Sequence, residues 1–492
     1  MRTASSAAPS PREAPSAGAP GASGRPGRVV VLGAGMAGLL VAAAAAAHAG
    51  EVVIVERDPL PGGTEPRKGL PQARHAHLMM SGGARAVESL LPGTLEGWVS
   101  AGARRVPLGT GLVAFGPQGW YPRWPGTQFM VACTRDLLDG VVRDKVLALP
   151  GVTYREETEA LALLGDARRV SGVKVRTAGS HSAEALEADL VIDASGRGSQ
   201  AARRLTELGL RPAHEETVDS GMVYVTRVFR APPGSERFPV VSVQPDPHGR
   251  LPGQGATMLP VEGGRWLLTA CGTRGGEPSR ETGEFEPFLR RLRHPLIADL
   301  IAGLEPLTDV HLTRSTVNRR RYFERMPDWP EGFAVAGDAV ATFNPVYGQG
   351  MSVAAHSATA IRGLLAGHGV GSPGLARRIQ RAVGRTTGSP WDLATGEDIN
   401  YPGAIGERPP AASRVLRGYV QRLMRTATVN PVVMRSLFDV MTLSAPMTAL
   451  VRPSVLLGVA RGPGREVRNE PSITAAELAV CGLGPRGQRS GS

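Results

Sequence analysis

The stretch that decides the fold runs from Arg28 to Asp58 and reads RVVVLGAGMAGLLVAAAAAAHAGEVVIVERD. An apolar strand leads into Gly33, Gly35 and Gly38, and a helical run and a second apolar strand follow. This order is typical of a dinucleotide-binding βαβ unit. Gly33 permits a tight turn, Gly35 lets the backbone approach a pyrophosphate, and Gly38 allows the helix to pack closely on the strand. The free N–H groups at the helix N-terminus favour phosphate binding.

Glu56 ends the second strand, about 20 residues after the glycines, as the dinucleotide fingerprint requires. A carboxylate at this position accepts hydrogen bonds from an adenosine ribose and repels a 2′-phosphate. The run from Val29 to Gly50 contains no charged residue and is long enough to imitate a membrane helix or the core of a signal peptide. The glycine spacing and the terminal acid favour a helix packed on a sheet instead.

The composition of the 492-residue chain, 42% hydrophobic and 20% charged, is that of a globular protein with a large core and about two or three lobes. The net charge of +12 is compatible with a nucleic acid or an anionic membrane as partner. The arginines are scattered and aromatic residues make up only 5% of the chain, which argues against nucleic acid. We therefore predict no nucleic-acid partner and no stable membrane insertion.

The cysteines, Cys133, Cys271 and Cys481, are odd in number and form no Cys-x-x-Cys pair. Neither a disulfide framework nor a zinc site is indicated, and we predict a cytoplasmic protein. His75 and His77 lie two residues apart without further placed ligands, so we predict no metal site.

Two further segments have the pattern of a buried strand that ends in small residues and an acid. The first is Ala188–Ser199, ADLVIDASGRGS, and the second is Gly332–Asp338, GFAVAGD. The second is followed by Asn344–Ser352, NPVYGQGMS, which leads into a helix. Either segment alone would be compatible with an ordinary turn after a core strand.

Taken in order, the three motifs resemble those of the FAD-dependent monooxygenases of the aromatic-hydroxylase and squalene-epoxidase type. The resemblance implies an α/β, two-lobed fold: a Rossmann-like FAD-binding domain of the glutathione-reductase type, a mixed β-sheet substrate domain and a C-terminal helical region. It also implies that Asp338 binds the ribityl chain of FAD and that Arg135 opens the inter-domain helix and touches the cofactor. Gly348, Gln349, Gly350 and Met351 would face the flavin ring, where the helix dipole stabilises negative charge on the reduced flavin.

The predicted cofactor-binding residues combine the glycine fingerprint with the positions that match the family motifs. They are Gly33, Gly35, Met36, Ala37, Gly38, Glu56, Arg57, Arg67, Lys68, Arg74, His75, Arg135, Asp193, Gly196, Gly337, Asp338, Pro345, Gly348, Gly350 and Met351.

A narrower resemblance covers most of residues 28–480. The segments that carry it are 67–78 (RKGLPQARHAHL), 89–93 (SLLPG), 127–129 (TQF), 318–320 (NRR), Pro390-Trp391 and Asp398-Ile399. They are similar to the epoxidases of polyether-ionophore biosynthesis, such as those for monensin and lasalocid. The implied activity is epoxidation of several alkenes along a linear polyene polyketide, before a separate epoxide-opening cyclase acts. Gln349 departs from those two enzymes, which have histidine there, so the resemblance does not carry over a role that requires an imidazole at this position.

Oxygen transfer in this family requires reduced FAD, O₂ and a dry site in which a flavin C4a-hydroperoxide delivers its distal oxygen. Since the cofactor performs the chemistry, we predict no side-chain acid or base as catalyst. No second credible G-x-G-x-x-G is present. We therefore expect NAD(P)H to bind transiently or to reduce the flavin through a separate flavin reductase.

The predicted domain organisation follows from these motifs and from composition. We predict a disordered tail over 1–27, a discontinuous FAD-binding domain over 28–95, 131–212 and 326–370, a substrate domain over 96–130 and 213–325, a C-terminal helical region over 371–480 and a flexible tail over 481–492. Helical periodicity at 413–426 and 432–442 predicts two helices, and 472–480 predicts a short one. We expect the region 376–462 to pack over the FAD-binding domain.

Other functions compatible with the same motifs remain open. Within the fold, the main alternative is a flavin-dependent hydroxylase of an aromatic or other polyketide substrate. A flavin halogenase is disfavoured because its W-x-W-x-I-P signature is absent. From other classes, a non-catalytic flavin sensor would fail to turn over reduced cofactor, and a peripheral-membrane basic protein would bind lipid in a salt-dependent manner.

Overall fold

The computed structural model describes residues 27–408, 413–464 and 467–484. The predicted disordered tail therefore lies outside the described residues, apart from Gly27. Among the described residues, no helix combines the length and the apolar character that a membrane crossing requires.

The strands of the described chain are short and fall into several sheets. They are β1 (Arg28–Leu32), β2 (Glu51–Val55), β3 (Leu78–Met80), β4 (Arg104–Pro107), β5 (Leu112–Gly116), β6 (Gly119–Trp120), β7 (Phe129–Ala132), β8 (Val152–Arg155), β9 (Thr158–Gly165), β10 (Val170–Thr177), β11 (Glu184–Glu187), β12 (Leu190–Asp193), β13 (Glu215–Asp219), β14 (Val223–Arg230), β15 (Val240–Val243), β16 (Gln254–Val261), β17 (Arg265–Gly272), β18 (His311–Thr313), β19 (Asn318–Arg321), β20 (Phe333–Val335), β21 (Ala341–Thr342) and β22 (Ile405–Gly406).

The helices cover the faces of these sheets. They are α1 (Met36–Ala46), α2 (Ser81–Leu90), α3 (Thr94–Ser100), α4 (Leu108–Gly111), α5 (Arg135–Leu147), α6 (Ala201–Glu207), α7 (Phe285–Arg290), α8 (Leu296–Ile301), α9 (Gly350–His368), α10 (Leu375–Asp398), α11 (Ser413–Ala427), α12 (Pro431–Met441), α13 (Pro453–Arg461) and α14 (Ala475–Val480). Short 3-10 turns lie at Pro71–Arg74, Gly196–Gly198, Thr282–Glu284, Phe323–Arg325, Gly337–Ala339, Pro345–Tyr347 and Met447–Val451.

A five-stranded parallel sheet, in the order β20-β12-β1-β2-β8, forms the centre of the first lobe. Its inner strands are continuous apolar runs, as expected for strands that are covered by helices on both faces. The three motifs found in the sequence follow β1, β12 and β20, which are neighbours. Since the strands are parallel, the three motifs lie at the same edge of the sheet.

The second large sheet has the order β18-β14-β17-β16-β15-β5-β6 and is antiparallel except for the pairing of β15 with β5. One of its faces packs on α7 and α8 through Phe229, Trp266 and Leu268. The other face is turned toward the segment 75–80 and the first lobe. The predicted α/β class is confirmed by this combination of a parallel and a mixed sheet with covering helices.

The C-terminal helices occur where the periodicity predicted them, as α11, α12 and α14. Helix α10 covers β20 and α9 in the first lobe, as expected. Helices α11–α13 form a separate apolar cluster that contacts Ala114 and Tyr121 of the second lobe. The end of α12 also contacts α2 of the first lobe, where the Gly82 N–H donates to the Thr442 carbonyl at 3.1 Å. The C-terminal helices therefore pack against both lobes and not over the FAD-binding domain alone. Leu483, within the predicted flexible tail, is buried on the second sheet, whereas residues 485–492 lie outside the described residues.

Candidate functional site

The turn between β1 and α1 forms the first wall of the candidate site. Gly33 adopts a φ of +98° and donates its N–H to the Val55 carbonyl at 2.8 Å. A Cβ on Gly38 would lie 1.8 Å from the Gly33 oxygen, so only glycine permits this helix–strand contact. A Cβ on Gly35 would meet no atom within 4 Å. Gly35 therefore faces open space at the N-terminus of α1, beside Met36 and Ala37.

The Glu56 carboxylate is buried and already has protein partners. It accepts hydrogen bonds from the Ala34 N–H at 2.7 Å and from the Asp58 N–H at 3.1 Å. Arg67 forms an ion pair with it and donates to the Ala34 carbonyl at 2.7 Å. Glu56 and Arg67 thus meet beside the turn at Gly35, and Arg67 pairs with the carboxylate that the sequence assigns to the adenosine ribose.

The Asp193 carboxylate stabilises the turn that follows β12. It accepts hydrogen bonds from the N–H and the hydroxyl of Ser195 and from the hydroxyl of Ser199, and it pairs with Arg204 at 3.5 Å. Its side chain is fully buried. Asp193 therefore orders the 193–199 turn, in which Gly196, with a φ of +78°, and Gly198 both border open space.

The Asp338 carboxylate has a different environment, although it also follows a strand of the parallel sheet. It makes no hydrogen bond or ion pair with the described residues and is accessible to solvent, while protein surrounds it on most sides. Burial raises the pKa of Asp338, and the guanidinium groups of Arg197, Arg135 and Arg319 oppose part of that rise. We call this group of one aspartate and three arginines the Asp338 recess. Gly337, next to it, approaches α1 so closely that its Cβ would lie 2.5 Å from the Ala37 Cβ.

The 344–350 loop forms the next wall. Asn344 caps the turn Pro345–Tyr347 by accepting the Val346 N–H at 3.3 Å, and Gly348 ends it with a φ of +62°. A Cβ on Gly350, the first residue of α9, would meet nothing within 4 Å. Gln349 is buried, and its Oε1 atom has no hydrogen-bond partner within residues 27–408, 413–464 and 467–484.

The segment that contains His75 and His77 reaches the second sheet through His75, and Arg135 lies near His77. Arg135 begins α5 and donates to Asp139 at 2.8 Å. His77 donates from Nδ1 to the His75 carbonyl, and burial, together with Arg135, lowers the pKa of His77 to about 3. His75 shares a 2.7 Å hydrogen bond with the Thr226 hydroxyl, and burial lowers the pKa of His75 to about 4. Both imidazoles are therefore neutral near pH 7.

Three of the predicted cofactor-binding residues are exposed and make no described contact with the turn at Gly35, the Asp338 recess or the 344–350 loop. Arg57 and Lys68 are exposed, and Arg57 pairs with Asp58 at 3.5 Å. Arg74 is exposed and lies 3.3 Å from His311, on the second sheet. Within the part of the chain that the structure describes, no group of three or more His, Cys, Asp or Glu residues could hold a metal ion.

Arg197 and Arg319 belong to the Asp338 recess, although the sequence motifs did not indicate either as a cofactor-binding residue. Arg197 lies in the quoted 188–199 segment and Arg319 in the 318–320 segment, but spacing alone does not bring them together. The Arg319 guanidinium donates to the Arg197 carbonyl at 2.6 Å, and this contact joins β19 to the turn after β12. Only the tertiary structure could have shown it.

Comparison with known proteins identifies the class of this chain. The family model for FAD dependent oxidoreductases matches residues 28–228. Protein Rv3254 of Mycobacterium tuberculosis (strain ATCC 25618 / H37Rv) is 31% identical over 415 residues, which are 82% of this chain and 86% of that protein. The chain belongs to the FAD-dependent oxidoreductases.

Two further similarities are more distant. Kynurenine 3-monooxygenase of Salinispora arenicola (strain CNS-205) is 28% identical over 355 residues, which are 69% of this chain and 73% of that protein. The crystal structure of PqsL, a probable FAD-dependent monooxygenase from Pseudomonas aeruginosa, superposes with a TM-score of 0.55 at 19% identity and covers 76% of this chain and 93% of that one. The fold is thus that of FAD-dependent monooxygenase structures.

The residues present fit FAD. The open space at Gly35 and Gly350, the unpaired carboxylate of Asp338 and the unpartnered Oε1 atom of Gln349 border the same region of the first lobe. A dinucleotide supplies phosphates for a helix N-terminus and hydroxyl and N–H groups for such acceptors.

Proposed function

We propose that this protein is an FAD-dependent monooxygenase that epoxidises alkenes of a linear polyene polyketide in the biosynthesis of a polyether antibiotic. Membership of the FAD-dependent oxidoreductases supports the cofactor. The segments similar to polyether epoxidases, from Arg67 to Leu78 and at Asn318–Arg320, support the substrate class.

The observation that favours a neutral substrate is the chemistry of the sheet face beside the 344–350 loop. Tyr224 lies on this face and donates from its hydroxyl to Asn344 Oδ1 at 2.5 Å. By strand alternation and register, its neighbours on the same face are Thr226 and Val228 of β14, Leu267, Thr269 and Cys271 of β17, and Thr257 and Leu259 of β16. None of these side chains is charged. Most of them are buried under the segment 75–80, and Val228 and Thr257 are partly exposed. An uncharged lining between the two lobes suits a hydrocarbon chain better than a substrate that needs an ionic partner.

The roles of the chain's own residues follow from their positions. The N-terminus of α1 would bind the pyrophosphate at Gly35, and Asp338 would accept hydrogen bonds from the ribityl hydroxyls. The N-terminus of α9 at Gly350 stabilises negative charge. Once reduced, FAD supplies the oxygen-transfer chemistry, so the protein positions the alkene and excludes water.

The electrons come from NAD(P)H, directly or through a separate flavin reductase. The single dinucleotide fingerprint supports this proposal, because a stable nicotinamide domain would need a second one. The product epoxides would be substrates for a separate epoxide-opening cyclase in the same cytoplasm.

The test is mass spectrometry of a linear polyene polyketide analogue after incubation with the enzyme, FAD, NAD(P)H, a flavin reductase and ¹⁸O₂. We expect one labelled oxygen atom at each oxidised alkene. If the enzyme binds and reduces flavin but forms only peroxide, the protein would still be assigned to the monooxygenases, but the polyene would be excluded as its substrate. Failure to bind flavin would contradict the whole proposal.

A second candidate is a flavin-dependent hydroxylase of an aromatic or other polyketide substrate. The similarity to a kynurenine 3-monooxygenase favours it. The same labelling experiment with aromatic polyketides separates the two functions, because a hydroxylase would place ¹⁸O on a ring carbon and would leave isolated alkenes unchanged.

A further inference from the structure

Asp398 is a fully buried carboxylate at the C-terminus of α10, and it is surrounded by hydrogen-bond donors. Its Oδ2 atom accepts from Asn318 Nδ2 at 2.7 Å, from Asn344 Nδ2 at 2.8 Å and from the Ser220 hydroxyl at 3.3 Å. Its Oδ1 atom accepts from the Tyr347 hydroxyl at 2.7 Å. Asp398 belongs to one of the segments similar to the polyether epoxidases, and the proposed function assigns it no role.

The donors come from separate parts of the fold. Ser220 follows β13, Asn318 begins β19, and Asn344 and Tyr347 belong to the 344–350 loop. The Asn344 N–H also donates to Asn318 Oδ1 at 2.7 Å. Asp398 thus joins the loop to a helix and to a strand that are both fixed by the core.

The two loop residues that donate to Asp398 lie at opposite ends of the turn Pro345–Tyr347. Asn344 lies just before the turn and Tyr347 is its last residue, so one carboxylate fixes both ends of Pro345–Tyr347. A short loop has few internal hydrogen bonds, and its conformation depends on such external contacts. Asn344 also accepts from Tyr224 of β14, which connects the same network to the uncharged sheet face.

We propose that Asp398 is a positioning residue for the flavin: it holds Asn344 and Tyr347 and thereby sets the place of Gly348–Met351 against the ring. The proposal rests on the proposed flavin site at this loop. Asp398 does not touch the reacting atoms, and its effect passes through the loop.

Three variants test this role. Asp398→Ala removes the acceptor and leaves buried donors without partners. Asp398→Asn keeps an oxygen acceptor for the two amides and loses the charge. Tyr347→Phe removes only one loop contact. Asp392→Ala, which alters an exposed aspartate on the same helix, is the matched control.

The readouts are amide hydrogen exchange of residues 344–350, the FAD dissociation constant from fluorescence quenching, and the absorption spectrum and midpoint potential of the bound flavin. For Asp398→Ala we expect at least tenfold faster loop exchange, at least tenfold weaker FAD binding and an altered bound-flavin spectrum. For Asp398→Asn, the loop exchange rate and the FAD dissociation constant should stay within a few-fold of the wild-type values. For Asp392→Ala, both should equal the wild-type values.

A folded Asp398→Ala protein with wild-type loop exchange and FAD affinity would overturn the proposal. So would a uniform loss of thermal stability without a selective change at 344–350, since that result describes an ordinary core residue. If Asp398→Ala does not fold, the test rests on Tyr347→Phe. Wild-type hydrogen exchange of residues 344–350 in that variant would contradict the positioning role of Asp398.

Failure of the flavin site itself gives a different result. In that case the wild type would bind no FAD, or Asp338→Ala would retain it, while the loop of Asp398→Ala would still exchange faster.

Discussion

Asp338 and Asp193 both follow strands of the parallel sheet, yet their carboxylates have opposite surroundings. Asp193 accepts hydrogen bonds from its own turn and pairs with Arg204, whereas Asp338 has no partner among the described residues. The Asp338 side chain reaches solvent, but protein surrounds it on most sides and raises its pKa, which makes the charged form less stable there. A carboxylate without protein partners is typical of a site where a bound ligand supplies the hydrogen-bond donors.

Replacing Asp338 with alanine should therefore abolish FAD binding without unfolding the protein. The side chain stabilises no described element, so the apoprotein melting temperature should stay the same or rise. Absorbance near 450 nm after desalting measures the retained flavin. Stoichiometric flavin with normal reduction would refute the assignment of this carboxylate.

The opposite outcome is expected for Asp193→Ala. Arg204 would become an unpaired buried charge, and the hydrogen bonds that order the 193–199 turn would be lost. The free energy of unfolding should fall by about 3 kcal/mol. Urea denaturation of the apoprotein measures this change, and a variant as stable as Asp338→Ala would contradict it.

At the scale of elements, helix α1 has two glycines that serve separate purposes. Gly38 allows the helix to approach the turn at Gly33, whereas Gly35 leaves space outside the helix. Both belong to one sequence fingerprint, so the fingerprint alone does not separate packing from binding.

Gly38→Ala should misfold or lose several kcal/mol of stability, because its Cβ would lie 1.8 Å from a backbone oxygen. Gly35→Ala should fold normally, since its φ of −74° suits alanine and no atom lies within 4 Å of the new Cβ. The Cβ would occupy space that a pyrophosphate needs, so FAD should bind at least about tenfold more weakly. Thermal melting with FAD titration distinguishes the two variants, and equal FAD affinity in Gly35→Ala and wild type would contradict this account.

At the scale of the whole molecule, the contact between the two lobes should make stability depend on pH. His75 from the first lobe is buried against Thr226 of the second sheet, and burial lowers the pKa of His75 to about 4. An unfolded histidine titrates near 6.5. As the pH falls through this window, the unfolded chain gains a proton that the folded protein does not take up, so the free energy of unfolding decreases.

His75 should account for about 3 kcal/mol of stability that is lost between pH 7 and pH 4. Chemical denaturation of wild type and His75→Asn at both pH values measures this contribution, since asparagine keeps a hydrogen-bonding group near Thr226 but does not titrate. An identical pH dependence in the two proteins would show that His75 makes no such contribution.

Much of the fold could be predicted from residues that are close together in the chain. The βαβ unit, the strands before the two acid-bearing motifs and the helices α11 and α12 are determined by local periodicity and by glycine spacing, and all of them occur in the structure. Parallel strand order then requires that motifs after neighbouring strands lie at one edge, so the approximate place of the site also followed from the sequence.

The sequence by itself determined the class of fold, the nucleotide fingerprint and the order of the three motifs, because each depends on short-range steric and hydrogen-bonding rules. The tertiary structure decided which polar groups are free and which are already paired. Arg67 forms an ion pair with Glu56, and Asp193 accepts hydrogen bonds from its own turn. Arg197 and Arg319 lie beside Asp338. It also brought Asp398 to Asn344 and Tyr347, more than fifty residues away in the chain. Such contacts depend on how distant elements pack, and no local pattern encodes them.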